Sequence, residues 1–177
     1  MKIKKTKFKN LLIVEQKNNK DTRGSLRETF NNKILKKKFI FEYCTTSKEN
    51  VFRGFHFQLK NKQAKYVNVV KGKILDVVID LRKGSKTFGK THSIVLSKQN
   101  ALGLYIPAGF AHAYYSYEKE NIIYYKLDNY YAPKHENGII YNDKDLKIRW
   151  PKKKMLISKK DINLSTQREF KKKFKNL

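Results

Sequence analysis

The 177-residue sequence is poor in cysteine, proline and glycine. Three prolines and eight glycines exclude collagen-like and proline-rich architectures. The single cysteine, Cys44, excludes an internal disulfide and a zinc site made of several cysteines. No stretch approaches the roughly 20 apolar residues of a membrane-spanning helix, and no signal-peptide pattern is present. The sequence therefore predicts a soluble, cytoplasmic protein that folds as one domain.

Acidic residues and arginines are also scarce. Fifteen Asp and Glu stand against 41 Lys and Arg, a formal net charge of +26, and only six of the basic residues are arginines. Such a charge suits a nucleic-acid-binding protein. The lysines are spread along the whole chain, however, with frequent Asn and Ile, as codon bias in an AT-rich genome would produce. A non-enzymatic basic protein that binds nucleic acid is therefore kept only as a remote alternative.

What the sequence does contain is a series of short apolar and aromatic runs with a period of two, which is typical of strands. Such short strands favour an antiparallel sandwich or jelly roll. Strands are predicted over 11–16, 26–30, 39–45, 52–58, 65–70, 73–81, 92–96, 103–106, 112–117 and 121–128. Helices are predicted only over 31–38 and 165–173, and Lys71-Gly72 is predicted to be a tight hairpin turn.

Alternation also assigns side chains to the two faces of each strand. Over 73–81 both faces are apolar, so this strand is expected to be central and Asp76 to be a buried carboxylate. His56, Lys65 and Tyr125 fall on strand faces that could line the same barrel as Asp76. A barrel filled only by core residues would not need these groups, so the pattern indicates a polar site at its mouth.

A series of motifs follows along the chain in a fixed order. They are RGFHFQ at 53–58, AKYV at 64–67, DVVIDLRKGS at 76–85, TFG at 87–89, YIPAGFAH at 105–112, YK at 125–126, NYYAP at 129–133, IRWP at 148–151 and LISKKD at 156–161. In these motifs, from about residue 21 to about residue 161, the chain resembles the dTDP-4-dehydrorhamnose 3,5-epimerase family.

The resemblance implies an all-β, cupin-type antiparallel jelly roll with short peripheral helices. It implies one epimerase domain over 1–177, with an N-terminal arm at about 1–30 and a C-terminal helical tail at about 162–177. The expected enzyme is a homodimer in which the arm completes the partner's site. It is expected to convert dTDP-4-dehydro-6-deoxy-D-glucose to dTDP-4-dehydro-L-rhamnose, without a cofactor.

No metal is expected either. The pattern Pro107-x-Gly109-x-x-His112 is the second half of the cupin metal motif, but the first half would need a second histidine where His56 is followed by Phe57 and Gln58. Two histidines without a third strong ligand suit a metal ion poorly.

The expected chemistry starts from the acidity of the C–H bonds at C3 and C5 of a 4-keto sugar, whose carbanion delocalises into an enolate. Inversion needs a base and an acid on opposite sides of this flat intermediate, and a donor near the enolate oxygen. The resemblance assigns the base to His56, the proton donor to Tyr125, and the carboxylate that holds the base to Asp161. Without the family pattern, Asp161 would be interpreted as a helix-capping residue.

The resemblance also implies the substrate contacts. Lys65 and His112 are assigned to the sugar oxygens, with Asp76 as the carboxylate behind them. A diphosphate favours the bidentate grip of arginine, which suits Arg53, although strand alternation places it on the face opposite to that of His56. The remaining implied contacts are Arg23 and Glu28 from the partner chain, Tyr131 against the base, and Glu136 and Lys160.

The chain departs from the family pattern at Phe41-Glu42-Tyr43, where the family has Gln-x-Asn. This departure leaves the sugar and the nucleotide open. The alternatives within the same fold are a 3-epimerase, a 5-epimerase, or a 3,4-ketoisomerase acting on another nucleoside-diphosphate 4-keto sugar. Retention of both His56 and Tyr125 favours an epimerase over a ketoisomerase.

Overall fold

The computed structural model of the chain describes residues 1–173 and consists mainly of antiparallel strands. The strands are β1 (Lys2–Lys5), β2 (Leu12–Glu15), β3 (Lys17–Asp21), β4 (Gly24–Glu28), β5 (Phe41–Ser47), β6 (Phe52–Gln58), β7 (Lys65–Lys71), β8 (Lys73–Asp80), β9 (Thr91–Ser97), β10 (Leu102–Ile106), β11 (Phe110–Ser116), β12 (Asn121–Leu127) and β13 (Glu136–Gly138). The helices are α1 (Asn32–Leu35), α2 (Lys159–Ile162) and α3 (Gln167–Lys173), with 3-10 turns at Pro133–His135 and Lys144–Leu146.

Two sheets carry the fold. One has the order β1-β2-β10-β7-β12-β5 and the other has the order β13-β6-β11-β8-β9, while β3 and β4 form a separate two-stranded ribbon. From β5 onward the chain crosses from one sheet to the other at each connection except that from β8 to β9. The predicted antiparallel jelly roll is therefore confirmed.

Strand β8 is buried on both faces, as its sequence predicts. Ile74 and Val78 belong to the core between the two sheets, whereas Val77 and Ile79 belong to a second apolar cluster on the outer face. Asp76 shares the inner face and has no exposed surface, which confirms the predicted buried carboxylate. Because burial of apolar surface is the main favourable term in folding, the apolar faces fix the register of this strand and hold the carboxylate inside.

The chain turns at Lys71-Gly72 in a way that alternation did not predict. Strand β7 ends at Lys71 and β8 begins at Lys73, yet the two strands lie in different sheets. Gly72 has a φ of 83°, and a Cβ there would lie 2.5 Å from the side-chain oxygen of Asn121. The same oxygen accepts a hydrogen bond from the backbone N–H of Lys73 at 3.0 Å. The predicted hairpin is therefore wrong, because the glycine lets the chain fold around Asn121 into the other sheet.

The segment expected to be an N-terminal arm has two parts. Strands β1 and β2 join the six-stranded sheet beside β10, and Val14 of β2 and Leu11 just before it are buried. The β3–β4 ribbon lies outside both sheets and is tied to them by Arg27, which donates a hydrogen bond to the backbone oxygen of Val69 at 2.7 Å. Leu26 on the ribbon is 69% exposed. The first part is thus built into the jelly roll, while the exposed side of the ribbon can contact another molecule.

The helices are shorter than predicted. Helix α1 ends at Leu35 because Lys36 adopts a left-handed conformation with a φ of 52°. The C-terminal tail predicted over 162–177 begins at the end of α2 and contains α3, while its residues 174–177 lie outside the described residues. Over residues 1–173, no helix has both the length and the apolar character needed to cross a bilayer.

Candidate active site

A cavity of about 690 Å³ lies between the two sheets, which is a typical size for a small-molecule site. Its lining comprises Tyr43, Thr45, Val51, Phe52, Arg53, His56, Lys65, His112, Tyr114, Tyr125, Met155, Leu156, Ile157, Ser158, Lys160 and Asp161. His56 comes from β6 of the five-stranded sheet and Tyr125 from β12 of the six-stranded sheet. The expected base and acid therefore face each other across the cavity.

His56 is held by Asp161, as predicted from the motifs. The Nε2 atom of His56 lies 2.7 Å from Oδ1 of Asp161, and Oδ2 of the same carboxylate accepts a hydrogen bond from the Gly54 N–H at 3.3 Å. Asp161 is positioned by the short helix α2, which begins after its N-cap residue Ser158. Burial raises the pKa of Asp161, but the hydrogen bond and the charge of His56, together with hydrogen bonds from Gly54 and Ser158, outweigh burial and lower that pKa. An ionised carboxylate therefore orients the ring and stabilises its protonated form.

A β-bulge in β6 places Arg53 beside His56. The residues of β11 that pair with Arg53 and His56 are two positions apart, whereas these two residues are three apart. Gly54, within the bulge, has a φ of 128°, and a Cβ there would lie 2.4 Å from that of Ala113. Arg53 and His56 both line the cavity. Their predicted placement on opposite faces is wrong, because an extra residue breaks the alternation.

A second histidine–carboxylate pair lies deeper in the cavity. Nε2 of His112 is 2.8 Å from Oδ2 of Asp76, and both side chains are buried. Oδ1 of Asp76 has no hydrogen-bond partner within residues 1–173. The family resemblance implies that these two residues are neighbours in the site, and a direct hydrogen bond joins them in the structure.

Lys65 lies at the start of β7 and lines the cavity. Burial lowers the pKa of Lys65 to about 8, although the negative charges of Glu136 and Asp76 raise it. Near neutral pH the group is thus mainly cationic, because the attraction of the two carboxylates partly offsets the cost of burying its charge. A cation held in this way is suited to stabilise an oxyanion that forms nearby.

Tyr125 is enclosed by other aromatic side chains. Its ring stacks on that of Tyr43 with centroids 4.8 Å apart and 23° between the planes. Burial raises the pKa of Tyr125 well above its usual value, and the nearby Tyr114, Tyr43 and Asp76 raise it further, while a hydrogen bond with Thr45 lowers it. The phenol is therefore neutral at physiological pH and has a proton to donate.

Three of the expected substrate contacts form a cluster next to the base. The Tyr131 hydroxyl donates to Oε2 of Glu136 at 2.7 Å, and the Lys160 ammonium donates to the same oxygen. Oε1 of Glu136 lies 3.9 Å from Nδ1 of His56. Burial raises the pKa of Glu136, but the bonds from Lys160 and Tyr131 outweigh burial and lower it. The structure thus brings these residues together with His56.

Arg23 and Glu28 lie away from this cavity, on the β3–β4 ribbon. The Arg23 side chain is 88% exposed and pairs with Asp21 at 2.7 Å. Glu28 accepts a hydrogen bond from the side chain of Asn31 at 2.5 Å. Within a single chain, these two residues do not join the others of the expected set.

Each of the two cavity histidines faces its own carboxylate. Across residues 1–173, no three His, Cys, Asp or Glu side chains form a group able to hold a metal ion. The geometry gives two separate histidine–acid pairs instead of one shared centre.

Comparison with known proteins decides the family. The family model described as dTDP-4-dehydrorhamnose 3,5-epimerase matches residues 5–169 of this chain. The chain belongs to this family. A dTDP-4-dehydrorhamnose 3,5-epimerase from Shigella flexneri is 39% identical over 170 residues, which cover 92% of this chain and 94% of the relative.

Solved structures of the epimerase family agree with this assignment. The crystal structure of a dTDP-4-dehydrorhamnose 3,5-epimerase from Elizabethkingia anophelis NUHP1 has a TM-score of 0.89 and 36% identity, covering 96% of this chain and 97% of that one. A dTDP-6-deoxy-D-glucose-3,5-epimerase from Legionella pneumophila Philadelphia 1, in complex with dTDP-4-keto-L-rhamnose, has a TM-score of 0.88 and 34% identity, covering 93% and 91%. This member of the epimerase family is thus an isomerase, and the alternative of a non-enzymatic nucleic-acid-binding protein is set aside.

Sequence reasoning missed part of the cavity wall in this epimerase. Tyr43 was recognised only as a departure from the family amides, and Thr45 and Tyr114 were not singled out. Tyr43, Thr45 and Ser47 alternate along β5, so period two could have placed them on one face. Tyr114 contacts this face through hydrogen bonds to Thr45 at 3.1 Å and Ser47 at 2.8 Å. That contact joins opposite sheets and has no local signal in the sequence.

Proposed function

We propose that this chain epimerises dTDP-4-dehydro-6-deoxy-D-glucose at C3 and C5, giving dTDP-4-dehydro-L-rhamnose. The observation that carries the proposal is the placement of His56 and Tyr125 on opposite walls of one cavity. Removal of a proton from one face of a sugar and its return to the other face need this arrangement. The ligand of the Legionella pneumophila relative, dTDP-4-keto-L-rhamnose, supports the same class of substrate.

The proposed reaction has two half-steps at each carbon. His56 takes the proton from the C–H bond next to the ketone, and the bonding electrons move into the carbonyl to form an enolate. Lys65 and His112 stabilise the enolate oxygen as positive charge and hydrogen-bond donor. Tyr125 then gives its proton to the opposite face of the carbon as the ketone re-forms. Exchange with water removes the proton from the imidazolium and returns one to the phenolate.

Substrate binding is proposed to use Arg53 in the cavity and the cluster of residues next to His56. Arg53 suits the diphosphate, since guanidinium groups hold phosphate oxygens by paired hydrogen bonds. Tyr131 is exposed and suits stacking on the base, with Glu136 and Lys160 beside it. We propose a metal-independent reaction, because His56 and His112 are each engaged by a carboxylate. An exposed free thiol at Cys44 supports a reducing, cytoplasmic location.

The direct test is turnover in deuterated water with dTDP-4-dehydro-6-deoxy-D-glucose as substrate. NMR then reports deuterium at each carbon and the configuration of the product. Incorporation at C3 and C5 with inversion at both is expected. Deuterium at only one carbon would replace the proposal with a single-site epimerase, and movement of the ketone to C3 would replace it with a ketoisomerase.

We also propose a homodimer in which the β3–β4 ribbon completes the partner's cavity. The exposed Leu26 and the exposed Arg23 on this ribbon support it, because each residue lacks a role in its own chain's cavity. Since β1 and β2 belong to the sheet, the test uses substitutions and not a deletion of the N-terminal segment.

In this test, chains carrying Arg23→Ala are mixed with chains carrying His56→Ala and allowed to exchange subunits. Each mixed dimer then contains one intact cavity if Arg23 acts in the partner. Activity is expected to rise well above that of either variant alone. Mixed dimers verified by mass spectrometry but still inactive would mean that the ribbon serves its own chain.

A further inference from the structure

A row of side-chain hydroxyls runs from Arg53 towards Tyr125 along the cavity wall. Nε of Arg53 donates to Oγ of Ser47 at 3.2 Å, and Ser47 lies 2.8 Å from the hydroxyl of Tyr114. The Tyr114 hydroxyl lies 3.1 Å from Oγ1 of Thr45. Thr45 and Tyr125 lie on the same face of the paired strands β5 and β12, and both line the cavity. The row therefore begins at a permanent cation and ends beside the expected proton donor.

The arginine at one end favours one direction of donation along the row. A guanidinium only donates hydrogen bonds, whereas each hydroxyl has one proton and two acceptor sites. When Ser47 accepts from Arg53, its own proton is available for Tyr114. Tyr114 can then donate to Thr45, and Thr45 to the phenol oxygen beyond it. With that oxygen accepting from Thr45, the Tyr125 proton is left to point into the cavity.

We propose that the hydroxyls of Ser47, Tyr114 and Thr45 form a one-way chain of hydrogen bonds that points the proton of the catalytic tyrosine into the cavity. These are positioning residues, because they act through Tyr125. The same donation from Thr45 stabilises the phenolate after the proton has been transferred to carbon. The inference rests on the proposed function, in which Tyr125 is the acid.

The position of Tyr114 explains why such a chain can be rigid. Its ring belongs to β11 of the five-stranded sheet, whereas Thr45 and Ser47 belong to β5 at the edge of the other sheet. Tyr114 and Ser47 are nearly fully buried, where hydrogen bonds are stronger than in water. The chain therefore ties the two walls of the cavity together next to the acid.

The test replaces Thr45 by valine, which has nearly the same shape and lacks the hydroxyl. We expect Thr45→Val to slow proton return with inversion about 10- to 100-fold, as for loss of one hydrogen bond to a charged group. Deuterium exchange without inversion depends on His56 and should change less than threefold, as should KM. Thr45→Ser keeps the hydroxyl and should restore inversion. Thr46→Val makes the same substitution on the outward face of β5 and is the matched control.

A second variant, Tyr114→Phe, removes the middle hydroxyl and keeps the ring, so it tests the chain if Thr45→Val fails to fold. We expect the same selective loss of inversion. The chain is overturned if both hydroxyl deletions leave the ratio of inversion to exchange at the wild-type value, or if Thr45→Ser is as impaired as Thr45→Val. A wild-type protein that exchanges no deuterium would instead overturn the proposed function.

Discussion

The cavity holds two histidine–carboxylate pairs of almost equal length, but they differ in their access to water. In the pair His56–Asp161, the histidine side chain is 29% exposed, while in the pair His112–Asp76 it is 5% exposed. The nitrogen–oxygen distances are 2.7 Å and 2.8 Å. Geometry of the pair alone therefore does not distinguish the two histidines.

Access to water separates their roles. A base must release its proton to solvent in each turnover, and the exposed ring of His56 permits this release. The enclosed ring of His112 suits a fixed donor to an oxyanion, where exclusion of water strengthens the interaction. In the proposed reaction, the same two side chains thus serve as a base or as a fixed donor according to their depth in the cavity.

The largest expected effect separates the two histidines by chemical rescue. His56→Ala should lower deuterium exchange at C3 and C5 by about 10²–10⁴-fold, as for loss of a general base. Because this position is open to water, added imidazole should enter the vacated space and restore part of the exchange. His112→Ala should also be slow, but its enclosed space should admit no imidazole. NMR measurement of exchange with and without imidazole tests both variants, and equal rescue would remove the distinction.

The next effect separates the two carboxylates by stability. Asp76→Ala leaves the ring nitrogen of His112 without a partner in a site closed to water, which should cost about 1–3 kcal/mol. Asp161→Ala should cost less, since water can reach the ring of His56, but it should give the larger loss of exchange. Urea unfolding and deuterium exchange on both variants provide the measurements. A greater loss of stability in Asp161→Ala would contradict the assigned depths.

The smallest expected effect concerns the pH dependence of Lys65, whose pKa is about 8. As pH rises through this value the ammonium loses its charge, so kcat/KM should fall on the alkaline side. Negative charge on Asp76 raises the pKa of Lys65. Asp76→Asn should therefore move the alkaline limb to lower pH, whereas Asp161→Asn should leave it in place. Lys65→Arg, which stays charged, should abolish the alkaline fall in kcat/KM. If the fall persists in that variant, it arises from the titration of another group.

The strands with strong alternation could be predicted from the sequence, and those without it could not. The strand at Phe52–Gln58 was predicted with its observed bounds, and the central strand at Lys73 within one residue. Strands β1, β3 and β13 were missed. Their sequences KIKK, KNNKD and ENG bury few apolar side chains, so pairing partners and not a local pattern make them strands.

The site could be predicted in its residue types more fully than in its geometry. The motifs named His56 and Asp161, which the fold brings within 2.7 Å. Alternation failed at Arg53, because a bulge set by Gly54 depends on the facing strand. The contacts of Tyr114 could not be predicted from the sequence for the same reason, since they join residues of opposite sheets.

The order of residues along the chain has a consequence for how the protein is made. Asp161 follows His56 by 105 positions and comes after all the strands of both sheets. As the chain leaves the ribosome, both sheets emerge before the segment 155–161, which supplies the remaining cavity lining together with this carboxylate. The proposed base therefore gains its orienting partner only after that segment joins the sheets, so we expect catalytic competence to come late in synthesis.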